Sequence, residues 1–343
     1  MRRFCSARIY SKPPDSVRMK TFSRIAFVLG LVALTVLVLR NDVQSIVSLL
    51  RQAGWLLLCL LPLHCVPLGL DVMGWRVLVL ERTEVATLFV IASIREAINR
   101  LLPVANVGGE VVGARLLARR GVSYAAAVSS ILVETMLNIL SQVLFLTLGL
   151  ACLLHTTDRF ELTGALIMAV AGAAMIVLLQ FWILRSGAFF RLLHRLAVGM
   201  LGASRKYAAA LGALAQVDST TRELTCAHGR LLRSIGWQVC GMISGCAETW
   251  LVLRWLGHPL SLEGAVALES LTLAARSFFF IAPAGLGVQE AGLIGVGSLL
   301  GLGSDVAIAL SLAKRAREIL FGLPALAAWQ TMSDARPAPS TGV

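Results

Sequence analysis

The sequence predicts an all-α, polytopic membrane protein with about 7–9 membrane segments, each needing roughly 20 apolar residues to cross a bilayer. Three observations predict it. Of the 343 residues, 57% are hydrophobic and 15% are charged, where a soluble domain carries about 25% charge. Mean hydropathy is +0.79. The apolar residues fall in long runs separated by short basic segments. A soluble globule of this size has too much surface for so few charges. Disorder, collagen and a disulfide scaffold fail on the same composition.

The net charge of +12 would suggest nucleic acid in a soluble chain. Here the basic residues lie between apolar runs, where they set orientation, so no nucleic-acid partner is expected. The seven cysteines form no CxxC pair and the five histidines are scattered. No metal-ligand spacing occurs, and neither a metal nor a cofactor is expected.

Residues 1–23 form a polar, basic tail containing Lys12-Pro13-Pro14, read as cytoplasmic and unstructured, and translation could start at Met1 or Met19. Ile25 to Leu39 is a short apolar run between Arg24 and Arg40, with no small-residue cleavage site, so it reads as a signal anchor. Residues 24–330 read as one integral membrane domain. Its runs are Trp55–Leu80, with Pro62 inside and Asp71 near the end, Ala86–Leu102, and Val111–Leu117. Next come Tyr124–Leu154 and Gly164–Leu184. Residues 185–233 hold eight basic and two acidic residues, with Phe189, Leu192, Leu193 and Leu196 at helical spacing. That is the pattern of a cytoplasmic loop with interfacial helices. Trp237–Trp255, Leu262–Ile281, Ala291–Leu302 and Asp305–Trp329 follow, then a polar tail at 331–343. The tryptophans Trp55, Trp75, Trp237, Trp250, Trp255 and Trp329 read as interface anchors. If each Pro/Gly hairpin returns to its own side, the basic loop and both termini fall in the cytoplasm.

Two distant segments are alike. Pro103 precedes Glu110 with Gly108 and Gly109 between them, and Pro283 precedes Glu290 with Gly285 and Gly287 between them. Arg95 lies eight positions before the first proline and Arg276 seven before the second. Ser123 and Ser304 follow at twenty and twenty-one positions, and Glu134 and Arg315 lie eleven past each serine. Proline and glycine break helices, and broken backbone at membrane depth must be buried in protein or line a wet cavity. Parity inserts the two hairpins from opposite sides, which makes them re-entrant units of an inverted repeat with a site near the midplane. Glu110 and Glu290 sit where helices restart. Their simplest role is capping, with substrate or proton binding as the alternative.

Several charges fall inside the membrane. Glu134, Asn138 and Gln142 form a polar stripe at four-residue spacing, with Ser130 a turn earlier. A mid-bilayer carboxylate costs about 2.5–3.5 kcal/mol, so Glu134 faces a partner or a wet cavity. Lys314, Arg315, Arg317 and Arg276 are the candidates. Glu318 can pair along its own helix with Lys314 or Arg315. Glu269 and Arg276 share a face. Asp71 and Glu248 lie nearer the ends of their runs and are weaker candidates. These charges are either ion pairs that lock helices or a polar path for a lipid headgroup, with a proton relay as a third reading.

The segments REAINRLLPVANVGGEVVGARLLARRGVSYAAAVSSILVE, SLTLAARSFFFIAPAGLGVQEAG and SLAKRAREILFGLP resemble the lysylphosphatidylglycerol synthase transmembrane, flippase-like superfamily over about residues 25–330. The resemblance is closest to its branch from hopanoid-biosynthesis gene clusters. It implies a bacterial inner-membrane protein that moves or handles a lipid, a hopanoid or an anionic phospholipid, with lipid-biosynthesis enzymes as further partners. The chain ends thirteen residues past Gln330, so the soluble aminoacyl-transfer domain and its activity are expected to be absent. The family often has Pro-Gly at the second hairpin, where this chain has Pro283-Ala284-Gly285.

The expected function is lipid translocation or transport. An intramembrane lipid-modifying enzyme, with Glu110 or Glu290 as acid or base, and a scaffold for lipid biosynthesis are the alternatives. Arg95, Arg276, Arg315 and Arg317 are expected to contact phosphate or hydroxyl groups. Glu134, Glu269 and Glu318 would balance them, and Asn99, Asn138 and Gln142 would add neutral hydrogen bonds.

Overall fold

The structure is a computed structural model and describes residues 43–102, 108–157, 163–187, 191, 195, 208–278 and 287–334. The expected anchor at 25–39, the N-terminal tail and residues 335–343 lie outside the described residues, as do Pro103, Pro283 and Gly285, while residues 331–334 of the expected C-terminal tail continue the last helix. All the described secondary structure is helical. In chain order the helices are α1 (Val43–Ala53), a 3-10 turn (Gly54–Cys59), α2 (Leu60–Leu78), α3 (Val85–Leu101) and α4 (Gly108–Arg119). They continue as α5 (Tyr124–Thr157), α6 (Thr163–Arg185), α7 (Ala208–Cys226) and α8 (His228–Trp255). The last three are α9 (Leu262–Phe278), α10 (Val288–Leu299) and α11 (Ser304–Asp334).

Two stretches, Gln44–Leu78 and Tyr124–Thr156, are long and apolar enough to cross a membrane by length and composition. The long helices α8 and α11 carry charges in their interiors. Pro62 falls in the first turn of α2, where a missing N–H is tolerated, and Pro67 lies inside the same helix. Two glycines are needed by the backbone. Gly287 opens α10 at φ 80°. Gly257 ends α8 at φ 79°, where the His258 N–H reaches the Leu253 carbonyl at 2.9 Å. Only glycine enters that region freely.

The principal helix pairings are unchanged when α1, α2, α3, α4 and α5 are exchanged for α7, α8, α9, α10 and α11. Helix α2 packs on α8. Helix α3 packs on α11 as α9 packs on α5, and α3–α4 matches α9–α10. Helix α1 sits on α11 as α7 sits on α5. The first arm of each hairpin therefore packs against the last helix of the other half. The repeat legible in the motifs is thus matched by the packing.

Two apolar cores form. Trp75, Leu88, Ile91, Ile94, Leu117 and Ile131 gather in one, all from the first half. The other joins Ile46 and Leu60 of the first half to Val252, Leu268, Leu293 and Ile308 of the second. A third cluster, including Leu78, Met136, Val217, Leu224 and Leu231, joins α2 and α5 to α7 and α8. Helix α7, from the basic segment, docks on α5. Its Thr221 hydroxyl donates to Ser129 of α5 at 3.1 Å, and the Ser129 hydroxyl donates to the Val217 carbonyl at 3.0 Å. Trp75 is no interface anchor, being 1% exposed in the core. Trp55 is 86% exposed and fits that role.

Candidate functional site

The first hairpin is closed by charge. Arg95 of α3 donates from one terminal nitrogen to Glu110 of α4 at 2.5 Å and to Glu134 of α5 at 2.6 Å. Its guanidinium lies over the Trp75 ring, 4.7 Å from the centroid, a cation–π contact. The Trp75 indole N–H in turn donates to Ser130 at 3.2 Å. Arg95 is only 8% exposed, and its buried Nε lacks a hydrogen-bond partner. One cation thus stands between two half-buried carboxylates, the three groups coming from three consecutive helices.

Asn99, one turn after Arg95, completes the joint. Its side-chain carbonyl accepts the Gly109 N–H at 2.9 Å, and its amide donates to Glu110 at 3.3 Å. Asn99 therefore caps the start of α4, and Glu110, in the first turn of that helix, also takes the ion pair. Gly109 and Gly113 allow the approach. A Cβ on Gly109 would meet the Arg95 carbonyl at 2.4 Å, and one on Gly113 would meet the Arg95 Cδ at 2.5 Å.

The second hairpin is closed from the other direction. Glu290 is 0% exposed. One of its oxygens accepts the Gly287 N–H at 2.7 Å, which is the expected cap. The other accepts from Ser311 of α11 at 2.7 Å and faces the Arg315 Nε at 3.5 Å. Gln289 donates to Ser311 at 3.2 Å and accepts from Arg276 of α9 at 2.8 Å. The hairpin glutamate is thus held by the arginine of the preceding helix in one half and of the following helix in the other.

From Arg315 a chain of charges runs back to the first half. Arg315 pairs with Glu318 at 3.0 Å, Glu318 with Arg100 of α3 at 3.6 Å, and Arg100 with Glu96 at 3.9 Å. A Glu96 oxygen lies 3.0 Å from Nε2 of His64 on α2, and Arg317 of α11 reaches the other ring nitrogen at 2.7 Å. Arg317 also binds Glu248 of α8 at 3.2 Å. Beside this chain Lys314 pairs with Glu269 of α9, which accepts from Thr249 at 2.6 Å.

The expected residues therefore divide. Arg95, Asn99, Glu110 and Glu134 form one group, and Glu290, Arg315, Arg317 and Glu318 join a second. Glu134 pairs with Arg95 and not with Lys314, Arg315, Arg317 or Arg276. Its partner Arg95 lies on α3, while the α11 cations pair with Glu269, Glu290, Glu318 and Glu248. Glu318 pairs with Arg315, as helical spacing allows. Glu269 and Arg276 share a helix but not a partner. Asn138 accepts from Gln142 at 2.8 Å, and Gln142 accepts from Ser277 of α9 at 2.5 Å. That stripe ties α5 to α9 rather than extending the Glu134 cluster. His64, Glu96, Arg100, Gln289 and Ser311 were not singled out from the sequence, and Glu248 was ranked low. The signal was present in Glu96 and Arg100, two more charges in an apolar run beside Arg95.

Buried ion pairs linking the broken hairpins of two packed halves, in an all-helical and largely apolar chain, define a helical membrane protein with a polar interior. Residues 23–325 match the model of the lysylphosphatidylglycerol synthase TM region, and the chain belongs to that family. No curated protein and no solved structure matches it. Membership ties this membrane protein to lipid-related function.

Proposed function

We propose that this protein is a flippase-like lipid transporter of the bacterial inner membrane. In this reading it is multi-pass, with both termini in the cytoplasm and about 7–9 segments. The two hairpins are re-entrant and inserted from opposite sides. The lipid is a hopanoid or an anionic phospholipid with a polar headgroup.

The observation that carries the reading is the Arg95–Glu110–Glu134 cluster. Three ionisable groups are placed where a broken hairpin meets α5, and one cation cannot fully satisfy two carboxylates. Pure structural locking needs no such excess, since replacing a buried ion pair by apolar residues is often neutral or stabilising. A polar interior that a headgroup enters does need it. Arg95, Arg276, Arg315 and Arg317 contact phosphate or hydroxyl oxygens in this account. Glu110, Glu134, Glu269, Glu290 and Glu318 hold those arginines oriented and balance their charge. Asn99, Asn138 and Gln142 supply neutral hydrogen bonds. The basic 185–233 segment gathers anionic lipid, at about 1 kcal/mol per basic residue near the surface.

Leaflet labelling of lipids in deletion cells complemented with wild type, Glu134→Gln or Arg315→Gln tests the reading. The account expects both variants to accumulate normally and to leave one lipid class on the wrong leaflet. A normal leaflet distribution with stably inserted variants overturns it.

A further inference from the structure

The reading above leaves His64 unused. It lies in α2 at 9% exposure, and its two ring nitrogens are committed to different helices. Nε2 is 3.0 Å from a Glu96 oxygen on α3. Nδ1 is 2.7 Å from an Arg317 terminal nitrogen on α11. A guanidinium can only donate. Nδ1 must therefore accept, the ring is neutral, and its one proton sits on Nε2 and is donated to Glu96. Glu248 of α8 stands close by, with one oxygen 3.9 Å from Nδ1 and the other 3.2 Å from the Arg317 Nε. Arg317 is also 3.9 Å from Glu96. Arg100 faces Glu96 from within α3 and leads to Glu318. The Phe321 ring meets His64 edge-on at 5.0 Å. The charged groups that face His64 are thus Glu96 from α3, Glu248 from α8 and Arg317 from α11.

We propose that His64 is a proton-binding site, and that proton uptake at Nδ1 shifts its hold from α11 to α8. A protonated Nδ1 is a donor, and two donors cannot share a 2.7 Å contact. Arg317 must leave, and Glu248 takes the new N–H after a movement of about 1 Å, enough to reach normal hydrogen-bond distance. The released Arg317 has Glu96 within reach. In the neutral state His64 ties α2 to α11. In the protonated state α2 holds α8, and α11 holds α3. Those are the pairs that already pack together, so protonation removes the direct α2–α11 tie and leaves the Nε2–Glu96 contact as the link His64 makes to the α3–α11 pair. Each pair takes one helix from each half, so the site governs how the two pairs move against one another. Coupling of this movement to lipid transport rests on the function proposed above. The proton site itself does not.

The test uses full-length protein in nanodiscs, labelled with 15N in histidine and arginine. The five histidines are few enough that His64 is assigned by the signal missing from His64→Gln. Between about pH 8 and pH 5, the range in which histidines titrate, Nδ1 should pass from unprotonated to protonated. The Arg317 guanidinium signal should shift with the same midpoint. Glutamine offers one acceptor and one donor, mimicking the neutral ring, so in His64→Gln the Arg317 signal should stay at its high-pH position. A proton on Nδ1 at pH 8, no titration across the range, or an Arg317 signal that ignores the His64 midpoint overturns the proposal.

A second arm measures movement of fluorescent phosphatidylglycerol in liposomes holding wild type or His64→Gln. Coupling predicts at least about a threefold rate difference between pH 5.5 and pH 7.5 in wild type and none in the variant, as a population shift of one site allows. Equal wild-type rates overturn the coupling. Absence of any movement beside a normal titration overturns the transport reading and leaves the proton site supported.

Discussion

Replacing Arg95 with methionine removes the cation and keeps much of the stem. Glu110 and Glu134 are then left facing each other across the space the guanidinium filled. Breaking a buried ion pair from one side costs about 3–5 kcal/mol. At about 2–4 °C per kcal/mol, the melting temperature in detergent should fall by roughly 6–20 °C. Glu110→Gln is the milder change. It leaves Arg95 paired with Glu134 and keeps a carbonyl acceptor at the same place, so about 1–2 kcal/mol should be lost. Adding Glu134→Gln to Arg95→Met removes one of the stranded charges and should recover about 2 kcal/mol, the positive coupling of residues in one network. Tryptophan fluorescence melts of wild type, Arg95→Met, Glu134→Gln and the double variant supply the cycle, with Glu110→Gln melted beside them. If Arg95→Met melts within about 1 °C of wild type, as a solvated surface pair would, the cluster is not buried from water and the reasoning fails.

Other expectations follow from particular contacts. A Cβ on Gly149 would lie 2.6 Å from the Cβ of Ser270, so Gly149→Ala should drive α5 and α9 apart. It should lower stability by about 1–3 kcal/mol, and Ser270→Gly in the same chain should restore it, read by melting. Ser311 is 0% exposed and donates to Glu290, so Ser311→Ala should cost about 1–3 kcal/mol, whereas Ser311→Thr should cost less in the same melts. Helices α3 and α11 meet at Gly322, where a Cβ would lie 2.6 Å from Leu101. Gly322→Leu should therefore lower the accumulated level of inserted protein, read by immunoblot, and Leu101→Ala should rescue part of it.

The helical runs and the motif repeat were legible in the sequence because periodicity and helix breakers act locally. The pairing of the charges was not. Helical spacing says that Glu134 faces somewhere polar, but only the packing of α3 against α4 and α5 decides that Arg95 meets it. The exchange in which α3 packs on α11 and α9 on α5 is a property of the whole chain. It brings Glu318 to Arg100 across more than two hundred positions. His64 escaped notice because a lone histidine in an apolar run has no spacing signal. Its significance comes from Glu96 and Arg317, on two other helices. Glu248 was ranked low for its place near the end of α8, yet α2 and α11 bury it to 5% exposure. Trp75 was misread for the same reason, since position along a run does not tell a lipid-facing ring from one stacked on a buried guanidinium.

The central claim is that the buried charges serve lipid movement and not merely helix association. Purified protein in liposomes, with fluorescent phosphatidylglycerol quenched from outside by dithionite, tests it most directly. The account predicts movement of the inner-leaflet probe outward at a rate that Glu134→Gln cuts by about tenfold, equivalent to roughly 1.4 kcal/mol of barrier, in a variant that still melts cooperatively. Equal rates in the two proteins, both above empty liposomes, would contradict it.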